Sequence, residues 1–308
     1  MRAMIWGWRG RIYFLVALVL LTTRGLSAAE GESFSVKGPG SWVKIAALDD
    51  AATAAAAETG TSTILLNDHQ TRVTDRSVER YVRRVQRVAA QKDLEELSQI
   101  QIDFEPSYQS LTIHHIQILR GAEVINAYRP GEIQLLHREK ELDQQIFDGS
   151  LQAVLILSDV RLGDVIDFAY TLTGSNPVLH GKFAQTVQLE SDVLVKRLRV
   201  RLLWPQKRKL FMRAHNTNIE PKITSGEEVE YLWERRDAAP VEGEGSVPAW
   251  YYWSPWVDVS EFETWADVVA WGLPIYIESM ALNRRISRIE LNPSQNRLNR
   301  RKVVCLLH

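Results

Sequence analysis

Short β-type runs bounded by turn residues fill the chain from Ser62 onward and constrain its fold more than any other feature. Runs such as "STILLND", "LTIHHIQIL", "DVIDFAYTLTG" and "VLVKRLRVRLLWP" are separated by Gly, Pro, Asn and Asp, the residues that punctuate strands. Many short strands at such spacing are typical of antiparallel sandwiches. The sequence therefore predicts a mainly β chain whose antiparallel β-sandwich-like domain occupies residues 62–237, followed by a short helical region.

Two of these runs carry basic residues whose placement matters. "VLVKRLRVRLLW" alternates apolar residues with Arg199 and Arg201, which is typical of a strand with one face in water. We expect these arginines to form solvated cross-strand pairs, with an anion-binding ribbon as the alternative. "SVERYVRRVQRV" has helical spacing, but its Val and Tyr content favours a long strand, with Lys92–Asp93 as turn residues after it.

The end of the chain has helical signals. Ser260 and Glu263 fit a capping box, and Gly272 with Pro274 predicts the end of that helix. A second helix is predicted from about Ile275 to Ile289, and Asn292–Pro293 predicts the start of a third.

The first residues are typical of an export signal. Arginines precede the apolar run "IYFLVALVLL", and a Ser27-Ala28-Ala29 cleavage site follows, so residues 1–29 are predicted to be a signal peptide. An uncleaved N-terminal anchor is the alternative. After cleavage no membrane span is expected, because ten apolar residues are too few for one. Residues 30–61 are predicted to be a leader with an Ala-rich helix or spacer.

Charge and cysteine content narrow the class of protein. Without residues 1–29 the chain has 33 basic and 38 acidic side chains, a net charge of −5, which argues against a nucleic-acid partner. The single cysteine excludes an internal disulfide. Export without disulfides indicates a bacterial periplasm or cell surface.

Three segments resemble a known family. "FEPSYQSLTIHHIQILRGAEVINAYRPGEI", "LILSDVRLGDVIDFAYTLTG" and "WVDVSEFETWADVVAWG" are similar to exported bacterial proteins with an uncharacterised N-terminal β-domain before a transglutaminase-like, papain-type core. The resemblance covers roughly Ser62 to Pro293. It implies that chemistry resides in a later core, where a cysteine at a helix start works with His and Asp.

The chain's own cysteine does not match that pattern. Cys305 follows two valines rather than a Gly-Asp step, and His308 lies at the end of the sequence. We therefore predict no catalytic residue, no cofactor and no metal site, and the last segment is interpreted as a truncated tail. His114–His115 are expected to point to opposite faces of a strand, one solvated and one packed. Asp159, Asp164 and Asp167 are interpreted as turn chemistry around Gly163.

An aromatic cluster marks the predicted linker, residues 238–258, which precedes the helical region and tail, residues 259–308. Trp250, Tyr252, Trp253 and Trp256 could bind a ligand or seal the β-domain against the helices.

Three hypotheses follow. The first is a non-catalytic module of a transglutaminase-like exported protein that binds or positions a protein or peptide partner. The second is a fragment of a papain-type cysteine hydrolase or transglutaminase, and the third is a carbohydrate- or peptide-binding sandwich. The sequence leaves the ligand and the oligomeric state open.

Overall fold

The computed structural model describes residues 34–48, 62–129, 131–138, 149–241 and 254–290, the side chains of residues 279 and 281–290 excepted. Outside this part lie the predicted signal peptide, most of the Ala-rich segment, the third helix, Cys305 and His308. Trp250, Tyr252 and Trp253 also lie outside it. The described chain is mainly β and sandwich-like with a helix at its end, which confirms the predicted fold class.

A nine-stranded sheet forms the centre of the fold. Its order is β1-β5-β9-β3-β2-β11-β14-β13, with β6 paired to the end of β5. Most neighbours are antiparallel, but β1 pairs with β5 and β2 with β11 in parallel. Its strands are β1 Phe34–Val36, β2 Thr63–Val73, β3 Val78–Arg87, β5 Ser110–Arg120, β6 Glu123–Asn126, β9 Val165–Thr173, β11 Leu194–Pro205, β13 Lys222–Thr224 and β14 Glu228–Ala238.

Two three-stranded sheets cover the apolar face of the central sheet. The first has the order β10-β15-β12 and the second β4-β8-β7. Their strands are β4 Gln99–Phe104, β7 Gln134–His137, β8 Leu151–Ile156, β10 Ala184–Gln188, β12 Phe211–His215 and β15 Trp256–Ser260.

Each small sheet has its own hydrophobic core. The core beneath β10 and β15 takes its residues from β2, β11 and β14, and includes Trp204 and Trp233. The core beneath β4 and β8 takes its residues from β5 and β9, and includes Phe104 and Ile116. Since β3 lies between β9 and β2, the middle of the central sheet falls between the two cores.

The N-terminal segment Lys37–Leu48, which we call the strap, crosses the opposite face. Ala46 is buried there against Leu66, Val85 and Val165. The remainder of that face is polar. A strap without strand pairing can close it only if side chains of the sheet satisfy its backbone groups.

Two helices accompany the strands. Helix α1, Gln91–Leu97, occupies the position predicted to be a turn after β3, although the prediction of β3 as a strand is confirmed. Helix α2, Trp265–Glu290, runs on through Gly272 and Pro274, so the predicted end at these residues is wrong. Trp271 contacts the protein body in the same turn, and this packing offsets the poor local propensity.

The capping box predicted for Ser260 and Glu263 is also wrong. Ser260 ends strand β15, which begins inside the predicted linker. The helix begins at Trp265, five residues after Ser260, and a reciprocal pair stabilises its start. The Asp267 backbone N–H donates to Thr264 Oγ1 at 3.3 Å, and Asp267 Oδ2 accepts from the Thr264 N–H at 2.8 Å.

Candidate functional site

An exposed apolar stripe along helix α2 is the most unusual surface of the described chain. Its side chains recur at spacings of three or four residues, so they lie on one face of the helix. Their exposed fractions are 80% for Trp265, 59% for Val269, 52% for Leu273, 64% for Tyr276, 56% for Ile277 and 44% for Met280.

The opposite face of the helix is apolar too. Trp271 packs on Phe262 with 5.7 Å between ring centroids, and its indole N–H donates to the Val178 carbonyl at 2.8 Å. Ile275, one turn further along, is half-buried. A helix that is apolar on both sides is normally buried on both sides. The stripe therefore has the character of a surface that another molecule or domain covers.

A groove adjoins the start of the stripe. Its volume is about 470 Å³, and Trp265 belongs to both surfaces. Its other walls come from β12, β15 and the turn before α2. The lining includes Met212, Arg213, His215, Asp258, Phe262, Thr264 and Val268. We call the stripe and this groove together the α2 surface.

A histidine–aspartate pair lies in the groove. His215 Nε2 is 3.0 Å from Asp258 Oδ2, and the imidazole stacks on Trp256 with 4.5 Å between centroids. The Thr186 hydroxyl donates to Asp258 Oδ1 at 2.8 Å, and the Trp256 indole donates to Oδ2 at 3.2 Å. Sequence reasoning missed this pair, because only the register of β12 against β15, which sets His215 opposite Trp256, makes position 258 its diagonal neighbour.

Trp256 is the one predicted ligand-binding aromatic in the described chain. It is half-buried, and the stacked His215 covers part of its ring. With Thr186, Gln188 and Ser254 it also lines a second pocket of about 300 Å³. Through its stacking on His215, Trp256 lies between this second pocket and the groove of the α2 surface. The ligand role predicted for Trp250, Tyr252, Trp253 and Trp256 remains a prediction.

The basic strand β11 differs from its prediction. Arg199 and Arg201 are buried rather than solvated, with exposed fractions of 6% and 3%. Arg199 donates to Asp68 at 3.0 Å and to the Lys44 carbonyl at 3.0 Å. Arg201 pairs with Glu230 at 2.8 Å and donates to the Trp42 carbonyl at 2.8 Å. The strap replaces water on this face, so these arginines hold the strap rather than an anionic ligand.

Gln70 completes the contacts beneath the strap. Its amide donates to the Lys44 carbonyl and to Asp68, and its oxygen accepts from the Lys44 N–H and from Arg201. Nearby, Arg83 donates to the Ala46 carbonyl at 2.9 Å and pairs with Asp167 at 2.7 Å. Buried polar groups of the sheet and the strap thus satisfy one another.

The carboxylates of this face respond differently to burial. Burial raises the pKa of Asp68, although the Arg199 guanidinium and the Gln70 amide favour its charged form. Burial also opposes ionisation of Asp167, but hydrogen bonds from His115 and Arg83 outweigh it and lower the pKa of that carboxyl. These shifts arise within a paired structural network, so they do not by themselves indicate catalysis.

The other residues singled out in the sequence are structural. A β-bulge falls between Ile113 and His115, and both histidines are half-buried, so the expectation of one solvated imidazole is wrong. His114 stacks on Tyr81, and His115 lies 2.9 Å from Asp167. Arg120 pairs with both Asp159 and Asp164, which fits the turn interpretation for these two residues. Asp167 lies within strand β9 and pairs with Arg83, so the turn interpretation is wrong for it.

The described residues contain no group of three or more His, Cys, Asp or Glu side chains arranged to hold a metal ion. No described helix combines the length and apolar character that crossing a membrane requires.

Solved structures with a similar fold exist, among them the following one. It is the crystal structure of a Parabacteroides distasonis ATCC 8503 protein described as a "putative protease". The TM-score is 0.58 at 15% identity, over 66% of this chain and 41% of that one. This chain therefore corresponds to less than half of the length of that protein. No curated protein matches the chain.

The family comparison covers the β-domain. Residues 74–242 match DUF3857, a domain of unknown function for which a structure has been solved. This match takes in strands β3 to β14, more than half of the sequence. The chain belongs to the DUF3857 family.

Proposed function

We propose that this chain is a non-catalytic module of an exported protein, and that its α2 surface docks a papain-type, transglutaminase-like catalytic domain. The observation that carries the proposal is the stripe of exposed Trp, Tyr, Leu, Ile and Val side chains on a helix already packed on its other side. Large aromatic and aliphatic side chains grouped in this way are the usual energetic centre of a protein interface.

The choice of partner has two supports. The segments "FEPSYQSL" and "SEFETW" resemble those of proteins in which a papain-type core follows the β-domain. The P. distasonis protein, described as a "putative protease", is much longer than the matched part, which leaves room for a separate catalytic domain. In this proposal the module positions that domain or its substrate and contributes no nucleophile.

A photo-crosslinking residue within the stripe tests the docking. The gene is expressed in its own host with p-benzoylphenylalanine at position 269, and crosslinked products are identified by mass spectrometry. We expect a crosslink to a domain with a papain-type Cys, His and Asp set, in the same polypeptide or in another one. Position 278 on the same helix is the control, because Glu278 is exposed and lies outside the stripe.

Other outcomes overturn the proposal. A crosslink from position 269 to a second copy of this module would make the stripe a dimer interface, and no crosslink would leave the surface without a partner. Catalysis is tested separately by comparing the purified protein with its Cys305→Ser variant in amide hydrolysis and transamidation. Any activity that disappears with Cys305 would contradict the non-catalytic assignment.

A further inference from the structure

A cleft lies over strands β3 and β9 of the central sheet, beside the β4-β8-β7 sheet. Arg84 and Gln86 of β3 form part of its floor and belong to neither hydrophobic core, whereas Val78 at the start of the same strand belongs to the core beneath β10 and β15. One wall is strand β4 with the preceding helix α1. The pocket there has a volume of about 430 Å³, and its lining includes Arg84, Gln86, Glu95, Gln99, Gln101 and Phe168.

Arg84 is the unusual group in this cleft. It is half-buried and donates through Nε to Gln86 Oε1 at 2.9 Å. No Asp or Glu of the described residues lies within ion-pair distance of it. Burial lowers the pKa of Arg84, and the charges of Asp192 and Glu96 only partly oppose this. A partly desolvated guanidinium without a carboxylate is costly, and a ligand that brings one relieves the cost.

Strand β4 is the second element of the site. It pairs with β8 on one side and is an edge of its sheet. Three consecutive residues, Gln99 to Gln101, line the pocket. Because side chains of a strand alternate, consecutive residues meet one pocket only when it runs along the strand's edge. The outward backbone groups of β4 therefore face the cleft, and such groups pair with an added strand.

Aromatic rings form the adjoining floor. Phe168 lines the pocket, and its ring lies nearly parallel to that of Tyr170, with 6.4 Å between centroids and 5° between planes. A peptide strand beside β4 would place alternate side chains toward this floor, where the rings offer apolar contact. At the rim Glu96 is exposed and pairs with Lys92 at 3.4 Å, and Glu95 is exposed too. These glutamates disfavour further acidic residues in the ligand.

We propose that this cleft binds an extended peptide segment, which adds as a strand to the free edge of β4 and places one carboxylate on Arg84. The free edge of β4 offers backbone hydrogen bonds to a second strand, and this is why the ligand is an extended peptide. The guanidinium supplies selectivity for an acidic position. This site lies apart from the α2 surface, so the inference holds whether or not that surface docks a catalytic domain.

Binding of short peptides to the purified protein tests the inference. The probes are fluorescein-labelled pentapeptides blocked at both ends, with a central Glu and varied flanking residues, and the same panel with a central Gln. Fluorescence polarisation measures affinity, and hydrogen exchange follows the amides of Gln99–Phe104. We expect binding of Glu peptides with slower exchange in β4, and at least about tenfold weaker binding of the Gln peptides.

Two variants assign the contact. Arg84→Gln is expected to weaken binding of the Glu peptides by about tenfold or more and to leave the Gln peptides unaffected. Arg80→Gln is the matched control, since Arg80 lies on the same face of β3 but outside the pocket lining. It should change affinity less than about twofold.

Three results would overturn the inference. The first is no binding up to about 1 mM peptide, because a Kd above this concentration would mean no specific peptide site. The second is binding without slower exchange in β4, which would indicate a carboxylate site but no strand addition. The third is equal binding of acetate, or of an acidic polysaccharide such as polygalacturonate, with the same loss in Arg84→Gln. That result would show that the cleft binds anions in general and has no preference for a peptide strand.

Discussion

The two faces of the central sheet handle their arginines in opposite ways, and β3 shows both within one dipeptide. Arg83 points to the strap and has two partners there, Asp167 and the Ala46 carbonyl. Arg84, the next residue, points to the cleft and donates to the side-chain amide oxygen of Gln86. On the strap face Arg72, Arg197, Arg199 and Arg201 are likewise paired with carboxylates.

This difference separates a closed surface from an open one. Under the strap each buried guanidinium has its counter-charge inside the protein, so none of these arginines requires a ligand to supply one. In the cleft no Asp or Glu of the described residues forms an ion pair with Arg84, although Glu95 and Glu96 lie at the rim, and the open edge of β4 lies alongside. A desolvated arginine is not sufficient to indicate a binding site, because burial also lowers the pKa of Arg80, which donates to the Gly174 carbonyl; the strand edge and the pocket beside Arg84 make the difference.

The largest expected effect is on the strap face. Asp68→Asn removes the carboxylate that faces Arg199 and leaves that guanidinium buried, so we expect the free energy of unfolding to fall by about 3 kcal/mol or more. Urea denaturation followed by far-UV circular dichroism measures it. Asp68 itself is fully buried, so water cannot replace the lost charge.

Asp159→Asn serves as the matched control for this experiment. Asp159 pairs with Arg120 and Arg161, but its side chain is 59% exposed. We expect a much smaller loss than for Asp68→Asn, because solvent screens an exposed pair. If the two variants lost the same stability, the strap face would not depend on buried pairs, and the contrast between the faces would disappear.

A smaller effect is expected in the pH dependence of stability, through His69 on the cleft face of the central sheet. Burial, helped by the Arg84 charge, lowers the pKa of His69 to about 4. An unfolded chain takes up this proton near pH 6.5, whereas the folded chain resists it until about pH 4. The contribution is therefore complete above pH 6.5 and is lost as the pH falls toward 4. We expect a loss of about 1–3 kcal/mol over this window.

Stability measured at several pH values in the wild type and in His69→Gln checks this assignment. The variant should lack this part of the decline between pH 6.5 and 4, while the acid losses from Asp167 and other carboxylates remain at lower pH. His137→Gln is the control, because His137 is exposed on β7. A His69→Gln profile parallel to that of the wild type would show that this imidazole titrates normally.

The sequence predicts the strands well and their environment poorly. Alternation in "VLVKRLRVRLLW" indicates correctly that Arg199 and Arg201 share one face of β11. It does not show what covers that face, because the strap that does so is about 150 residues away in sequence. The same limit applies to His215 and Asp258, which meet only through the register of two strands.

The prediction for the helical region is wrong for a related reason. Gly272 and Pro274 are true local breakers, yet Trp271 fixes the helix at that turn through Phe262 and the Val178 carbonyl. The tertiary contacts of Trp271 offset the helix penalties of glycine and proline, which together amount to a few kcal/mol. A local sequence pattern does not reveal such contacts. The helix also begins later than the predicted capping box, because "WVDVS" forms strand β15 between β10 and β12 before α2 begins.

The smallest expected effect sharpens the comparison most. Arg84→Gln removes a half-buried charge that has no carboxylate to leave behind, so we expect unfolding in urea to change by less than about 0.5 kcal/mol. A loss near that of Asp68→Asn would mean that Arg84 supports the fold. Since the same substitution is expected to weaken binding of acidic peptides about tenfold, one variant separates the two meanings of a buried arginine. Lost binding with unchanged stability identifies a ligand site, whereas equal losses in both identify one more structural contact.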